Sequence, residues 1–158
     1  MVTHFSSTTS GPGNSSEGAQ THSGSFAFSE NAEKSVRILM AEDNPINQKV
    51  GKLILQRAGF LIDLANDGQE AIEAHKADPY DLILMDCQMP SVDGFEATRQ
   101  IRQLDRRQPV IIAVTANALV GERDKCFEAG MNDYLSKPFQ AEQLVDIVRR
   151  WIPQRESL

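Results

Sequence analysis

The 158-residue sequence has little of what several large protein classes require. It contains only two cysteines, Cys87 and Cys126, which are too few for a disulfide framework and have no Cys or His near them at metal-site spacing. No apolar run approaches the roughly 18 residues that cross a bilayer, and the polar N-terminus lacks the hydrophobic segment of a secretory signal. We therefore expect a soluble protein with a cytoplasmic location and no membrane contact of its own.

The sequence also lacks an excess of basic residues. Its 16 Lys and Arg residues stand against 22 Asp and Glu residues, which gives a formal charge of -6. Direct binding of nucleic acid is not expected, because nothing in this charge balance would displace phosphate counterions. The 41% hydrophobic and 24% charged residues are typical of a soluble globular protein, and the length favours one domain.

Composition divides the chain into three parts. Residues 1–35 are rich in Ser, Thr, Gly and Asn and show neither a helical nor a strand period. Such a segment cannot bury enough apolar surface to offset its ordering entropy, so we interpret it as a disordered tail or interdomain linker. We expect the folded domain over residues 36–152 and a short C-terminal tail over 153–158.

Five apolar segments alternate with five helical patterns in the folded part. The predicted strands are 36–41, 60–65, 81–85, 110–114 and 133–135, and the predicted helices are 45–59, 69–76, 95–104, 119–129 and 140–151. The strand DLILM has four consecutive large apolar residues and the strand VIIAV is apolar throughout, which is typical of the middle of a covered parallel sheet. The alternation predicts an α/β fold with a doubly wound five-stranded parallel sheet, flavodoxin-like, with strand order 2-1-3-4-5.

Local signals refine the helices. Asn44 and Pro45 predict an N-cap and a first-turn proline, and Asp67 and Asp93 are expected to cap helices, with 66–68 an ordinary turn. One face of the first helix is marked by the residues Ile46, Val50, Leu53, Ile54 and Arg57. His75 is expected at the surface, and the arginines Arg99, Arg102, Arg106 and Arg107 are expected to form a solvated helix end.

Charged and polar residues follow four of the strands. Glu42 and Asp43 follow the first, Asp86 the third, Thr115 the fourth and Lys137 the fifth. The order 2-1-3-4-5 makes the first and third strands neighbours, so their carboxylates meet at the carboxyl edge where ligands bind in this fold class. Like charges this close repel, and a hard divalent cation such as Mg²⁺ suits their oxygens. Helix capping alone would not explain a lysine at the same edge.

This combination of residues suggests phosphoryl transfer. A carboxylate can act as a nucleophile and form an acyl phosphate. The transferred group needs positive charge around its oxygens, which Mg²⁺ and Lys137 would supply, and Thr115 could donate a hydrogen bond to it.

Four phrases in order carry a family resemblance: ILMAEDNPINQ, LILMDCQMPSVDG, AVTANA and GMNDYLSKPF. Over residues 36–152 the sequence resembles the receiver domain of two-component response regulators, and most of all the receiver of a hybrid sensor histidine kinase. The resemblance implies that Asp86 accepts a phosphoryl group from a phosphohistidine. It also implies that Asp43 binds Mg²⁺ directly, Glu42 mostly through water, and Gln88 through its backbone carbonyl, with Asp86 itself as a further metal ligand.

The resemblance also implies a switch and a partner. Lys137 would contact the phosphate, Thr115 would move toward it, and Tyr134 would be the aromatic switch coupled to Thr115; the Lys137–Pro138 bond is commonly cis in this family. The partner would be a histidine kinase or a histidine phosphotransfer domain, which could dock through Ile46 and its neighbours on the first helix. The receiver itself would be a phosphoacceptor with at most slow self-dephosphorylation. The parent chain would be a hybrid histidine kinase, and its receiver would be cytoplasmic even if that kinase were membrane-bound.

Two alternatives remain open. A magnesium-dependent phosphatase of the haloacid dehalogenase type also uses an aspartate nucleophile, but it requires an acid two residues later, where this sequence has Gln88. A phosphorylation-independent binding module would be expected to have lost an acid or the lysine, and here none is lost.

Overall fold

The computed structural model describes residues 36–117 and 119–152. The strands are β1 (Ile38–Ala41), β2 (Ile62–Ala65), β3 (Leu82–Asp86), β4 (Val110–Thr115) and β5 (Asp133–Ser136), and the helices are α1 (Pro45–Arg57), α2 (Gly68–Ala77), α3 (Gly94–Gln103), α4 (Val120–Ala129) and α5 (Ala141–Trp151). All strand pairs are parallel and the order is 2-1-3-4-5, which confirms the predicted fold. The predicted tails, 1–35 and 153–158, lie outside the described residues, as does Ala118.

The sheet is covered on both faces. Residues of β3 alternate between the faces: Ile83 packs with α2, α3 and α4, while Leu84 packs with α1 and α5. Every residue of β1 and β3 is buried, as expected for strands in the middle of a parallel sheet. Within the described ranges, no helix has the length and apolar character needed to cross a membrane.

Three predicted helix caps are confirmed. The Asn44 side chain accepts the backbone N–H groups of Ile46 and Asn47, at 2.8 and 3.3 Å, and Pro45 opens α1. Asp67 and Asp93 cap α2 and α3 by accepting an N–H three residues later. These side chains start each helix directly after its loop, which fixes the loops at the carboxyl edge of the sheet.

The face of α1 that its apolar residues mark lies mostly outside the core. The buried stripe is Gln48, Gly51 and Leu55, whereas Ile46 is 71% exposed and Val50 is 48% exposed. The reason is the close approach of α1 to β1, where a Cβ at Gly51 would collide with the end of the Met40 side chain. Ile46, Val50 and Leu53 therefore form an outer surface of α1, while Leu55 packs in the core.

His75 is a core residue, contrary to the prediction of a surface position. It has 0% exposure, its Nδ1 accepts the Tyr80 N–H at 3.0 Å, and its Nε2 lies 3.0 Å from the Arg107 carbonyl oxygen. These partners select the tautomer protonated at Nε2. Burial lowers the pKa of His75 because a charged ring would be desolvated, and the nearby arginines act in the same direction.

Arg102 also departs from the prediction of a solvated helix end. Its guanidinium donates to the carbonyl oxygens of Gly130 and Pro109, at 2.9 and 2.7 Å, and to the Asn132 side chain at 2.9 Å. Arg102 thus joins the end of α3 to the turns that lead into β4 and β5. The prediction failed because carbonyl groups at chain turns cannot be located from sequence spacing.

Candidate functional site

Three carboxylates meet where β1 and β3 end. Glu42, Asp43 and Asp86 each offer an oxygen, and these oxygens lie within 4.8 Å of one another. Glu42 and Asp86 are only 4% and 6% exposed, while Asp43 faces solvent. The adjacency of β1 and β3 brings together residues that are more than forty positions apart in the chain.

Lys137 reaches this cluster from the loop after the edge strand β5. Its Nζ donates to Glu42 Oε2 at 2.7 Å and to Asp86 Oδ2 at 3.1 Å. Its backbone N–H donates to the Thr115 carbonyl at 2.7 Å, and the Lys137–Pro138 peptide bond is cis. The loop after β5 is therefore held against β4 with the ammonium group directed at the two buried carboxylates.

Backbone N–H groups orient the two buried carboxylates. The N–H of Asn44 donates to Glu42 Oε1 at 3.1 Å, and the N–H of Gln88 donates to Asp86 Oδ1 at 3.1 Å. Gln88 lies on the exposed loop after β3. The role of its carbonyl as a metal ligand stays a prediction.

The two buried acids differ in their ionisation. Burial raises the pKa of Asp86, and the Glu42 charge acts in the same direction, so together they outweigh the Gln88 N–H and Lys137. For Glu42, burial alone would raise the pKa, but Lys137 and the Asn44 N–H outweigh it and the pKa is lowered. Burial opposes the charge of Lys137 as well, yet contact with both carboxylates raises its pKa.

This donor set fits a hard divalent cation. Three carboxylates share one ammonium group, so the cluster carries excess negative charge, and carboxylate oxygens are the ligands that Mg²⁺ prefers. Glu42, Asp43 and Asp86 are the residues that would hold it.

The two predicted switch residues lie at the end of β4 and on the neighbouring strand β5. Thr115, at the end of β4, is buried, and its hydroxyl donates to the Asn117 carbonyl at 3.1 Å and accepts the Asn117 N–H at 3.0 Å. Tyr134 on β5 is half-buried, with the Arg123 guanidinium 4.9 Å from its ring centroid. The Thr115 hydroxyl is thus engaged with the loop after β4.

Two polar residues near the cluster were missed from the sequence. The Gln48 side-chain amide donates to the Glu42 carbonyl at 2.5 Å and to Asn66 Oδ1 at 2.9 Å. A signal existed for Gln48, because it precedes Gly51 and Leu55 at helical spacing on the buried stripe of α1. Asn66 was missed because the turn 66–68 explains an Asn at this position without any further role.

Comparison with known families decides the identity. The family described as response regulator receiver domain matches residues 38–149, which contain all five strands. The match also contains the carboxylate–lysine cluster, which consists of Glu42, Asp43, Asp86 and Lys137. The chain is a response regulator receiver domain. Hybrid signal transduction histidine kinase B of Dictyostelium discoideum is 42% identical to this receiver over 126 residues, which cover 72% of the chain and 6% of that kinase. Histidine-protein kinase BarA of Escherichia coli is 41% identical over 117 residues, covering 73% of the receiver and 13% of BarA.

Solved structures agree with this assignment. The receiver domain of sensor histidine kinase PA1611 from Pseudomonas aeruginosa, described with a magnesium ion coordinated in its active site cleft, is 48% identical with a TM-score of 0.69 and covers 73% of this receiver and 96% of that chain. The receiver domain of Ssk1 from Saccharomyces cerevisiae, in complex with the histidine phosphotransfer protein Ypd1, is 32% identical with a TM-score of 0.68, covering 73% and 88% of the two chains. The chain spans only 6% of the length of hybrid kinase B and 13% of the length of BarA.

Proposed function

We propose that this receiver takes a phosphoryl group from a phosphohistidine onto Asp86, with Mg²⁺, and exchanges it with a histidine phosphotransfer domain as part of a hybrid histidine kinase. The observation that carries the proposal is the buried Asp86 carboxylate, with Lys137 Nζ at 3.1 Å and two further carboxylates close by. A nucleophile, a cation and a metal-binding acidic pair are thereby gathered at one edge of the sheet.

The residues of the chain divide the chemistry between them. A carboxylate oxygen of Asp86 bonds to phosphorus as the phosphorus–nitrogen bond breaks, and the departing imidazole keeps the electron pair and takes up a proton. Bound Mg²⁺ would supply positive charge to the phosphoryl oxygens. Lys137 is already ion-paired with Asp86 and can follow the developing negative charge onto the phosphoryl group.

Phosphorylation would act on the loop after β4. The added group carries about two negative charges and new acceptor oxygens, to which the Thr115 hydroxyl can donate. That hydroxyl would have to leave its two bonds to Asn117. Phosphorylation would then favour a second conformation of this loop, of α4 and of Tyr134, on which Arg123 is stacked. Partners would detect the change on that surface.

The outer surface of α1 is the proposed docking site for the histidine phosphotransfer domain. Ile46, Val50 and Leu53 are exposed on it, and Val50 also lines a cavity of about 410 Å³ with Glu42, Lys137 and Phe139. Apolar surface beside the pocket suits a partner that must bring its histidine to Asp86. The complex of Ypd1 with the related Ssk1 receiver supports this class of partner, and the names of the matching kinases support the hybrid origin.

Incubation with acetyl phosphate and Mg²⁺ tests the chemistry. We expect one labile phosphoryl adduct per chain, no adduct in Asp86→Asn, and little adduct when EDTA removes the metal. Multiple turnover with release of phosphate would instead indicate a phosphatase, and the absence of any adduct would indicate a binding module.

A separate experiment tests the docking surface. Transfer from a phosphorylated histidine phosphotransfer domain should fall roughly tenfold in kcat/KM for Val50→Asn, the effect of losing one interface contact worth about 1.4 kcal/mol. Leu61→Asn is the matched control, because it removes a comparably exposed apolar side chain from the loop before β2. Equal effects of the two substitutions would contradict docking on α1.

A further inference from the structure

We propose that Gln48 is a positioning residue for the metal-binding acids, acting through a hydrogen-bonded bridge of Gln48, Asn66 and Glu70. The inference rests on the Mg²⁺ site of the proposed function and assigns a role to residues outside the carboxylate–lysine cluster. The bridge begins at the Glu42 carbonyl, which is the oxygen of the peptide group that joins Glu42 to Asp43.

The Gln48 amide is well placed to fix that peptide group. Gln48 is buried on α1, and its Nε2 donates at 2.5 Å to the Glu42 carbonyl and at 2.9 Å to Asn66 Oδ1. An amide nitrogen has two hydrogens, so both donors are used. Since the rotation of this peptide group sets the direction in which Glu42 and Asp43 diverge, the bond from Gln48 constrains both acids at once.

The far end of the bridge is anchored to a second helix. Asn66 donates to Glu70 Oε2 through its backbone N–H at 2.7 Å and its side-chain amide at 2.9 Å. Glu70 lies in the first turn of α2, where Asp67 caps the helix. The Glu42 N–H meanwhile donates to the Ala65 carbonyl at 3.0 Å. The segment that carries Glu42 and Asp43 is therefore hydrogen-bonded to α1, to the end of β2 and, through Asn66, to α2 before any metal binds.

Such preorganisation has a predictable consequence for affinity. Three carboxylates that share one ammonium group repel one another when no metal ion is bound, so a loop free to rotate would let Asp43 move away from Glu42 and Asp86. Groups that orient metal ligands from outside the coordination shell typically change metal affinity by about 10- to 100-fold when removed. Because Gln48 acts through the backbone and other bonds remain, we expect an increase in the Mg²⁺ dissociation constant at the low end, roughly tenfold.

The test is Mg²⁺ binding by isothermal titration calorimetry on the full chain, with no phosphodonor present. Gln48→Met keeps the length and burial of the side chain and removes both donors, without the added charge that Gln48→Glu would bring to the pocket. Gln56→Met, on the exposed side of the same helix, is the matched control and should bind as the wild type does. Asn66→Ala should raise the Mg²⁺ dissociation constant less than Gln48→Met does. In the double variant, Asn66→Ala should raise the dissociation constant by a smaller factor than it does in the wild-type background.

Each outcome has a distinct meaning. A folded Gln48→Met with the wild-type dissociation constant overturns the role of Gln48 and leaves the proposed function intact. A wild-type chain that binds no Mg²⁺ overturns the metal site of the proposed function and this inference with it. If Gln48→Met fails to fold, Asn66→Ala decides, because Asn66 is exposed in a loop and its loss should leave the fold intact; unchanged binding there overturns the bridge.

Discussion

Replacing Asp86 by Asn should stabilise the metal-free receiver. At an effective dielectric constant near 20, a charge pair at the 4.8 Å limit of the cluster repels by about 3.5 kcal/mol, and Lys137 at 3.1 Å attracts Asp86 by about 5 kcal/mol. The repulsion from Glu42 and the partly screened repulsion from Asp43 roughly cancel that attraction. What remains is the cost of burying a charge that is only 6% exposed, and this agrees in direction with the raised pKa of Asp86.

The substitution removes one acceptor of Lys137 but leaves its ammonium group paired with another carboxylate. Lys137 keeps Glu42 at 2.7 Å, and the Asn amide oxygen can still accept the Gln88 N–H. We therefore expect Asp86→Asn to raise the free energy of unfolding by about 1–2 kcal/mol at neutral pH in EDTA, because the charge that it removes is buried beside two other carboxylates and Lys137 keeps Glu42 as a partner. Asp105→Asn, which removes one exposed charge from the loop after α3, is the control and should change stability by less than about 0.5 kcal/mol.

Urea unfolding monitored by circular dichroism measures these differences. Mg²⁺ should reverse the order, because a ligand at about 100 times its dissociation constant adds about 2.7 kcal/mol to the wild type. Lowering the pH should shrink the gap: the folded pKa of Asp86 lies above its unfolded value, so folding favours the protonated acid and the wild type recovers as it protonates. Destabilisation by Asp86→Asn in EDTA, beyond that of Asp105→Asn, would refute this electrostatic reasoning.

Three further substitutions test the fold around the site. Gly94→Ala drives a methyl group into the Asp86 backbone and should lower the unfolding free energy by about 2–3 kcal/mol, while Gly121→Ala, facing open space on α4, should raise it by up to about 1 kcal/mol; urea unfolding that gives both the same sign would contradict the packing. The lowered pKa of His75 means that the unfolded chain binds the proton first, so stability should fall as pH drops below about 6.5. His75→Leu, although less stable, should lose that part of the pH dependence in unfolding measurements between pH 7 and 5.

The sequence was most informative where one physical rule acts over a whole element. The apolar runs of β3 and β4 predicted central parallel strands, and the strand ends then predicted which charges would gather. Glu42, Asp86 and Lys137 meet as expected because strand order alone brings them to one edge. Their proposed roles follow from the family resemblance.

Predictions failed where a neighbour outside the element decides the environment. The apolar pattern of α1 does not show which side is buried, because Gly51 permits close approach to β1 on the opposite side and leaves Ile46 and Val50 exposed. His75 has a polar side chain, yet it can be buried because Tyr80 and Arg107, on other segments, supply hydrogen-bond partners for both ring nitrogens. The polarity of a side chain does not reveal such partners. The one available signal was that His75 lies three and four residues after Ile72 and Ala71, on the same face of the helix.

The most direct test of the central claim is chemical identification of the phosphorylated residue. After loading with acetyl phosphate and Mg²⁺, reduction by borohydride converts an aspartyl phosphate to homoserine, which peptide mass spectrometry can locate. We predict homoserine at position 86 alone, dependent on Mg²⁺. Homoserine at another acidic position, or a stable phosphate ester on a hydroxyl residue with position 86 unchanged, would contradict the assignment of Asp86 as the phosphoacceptor.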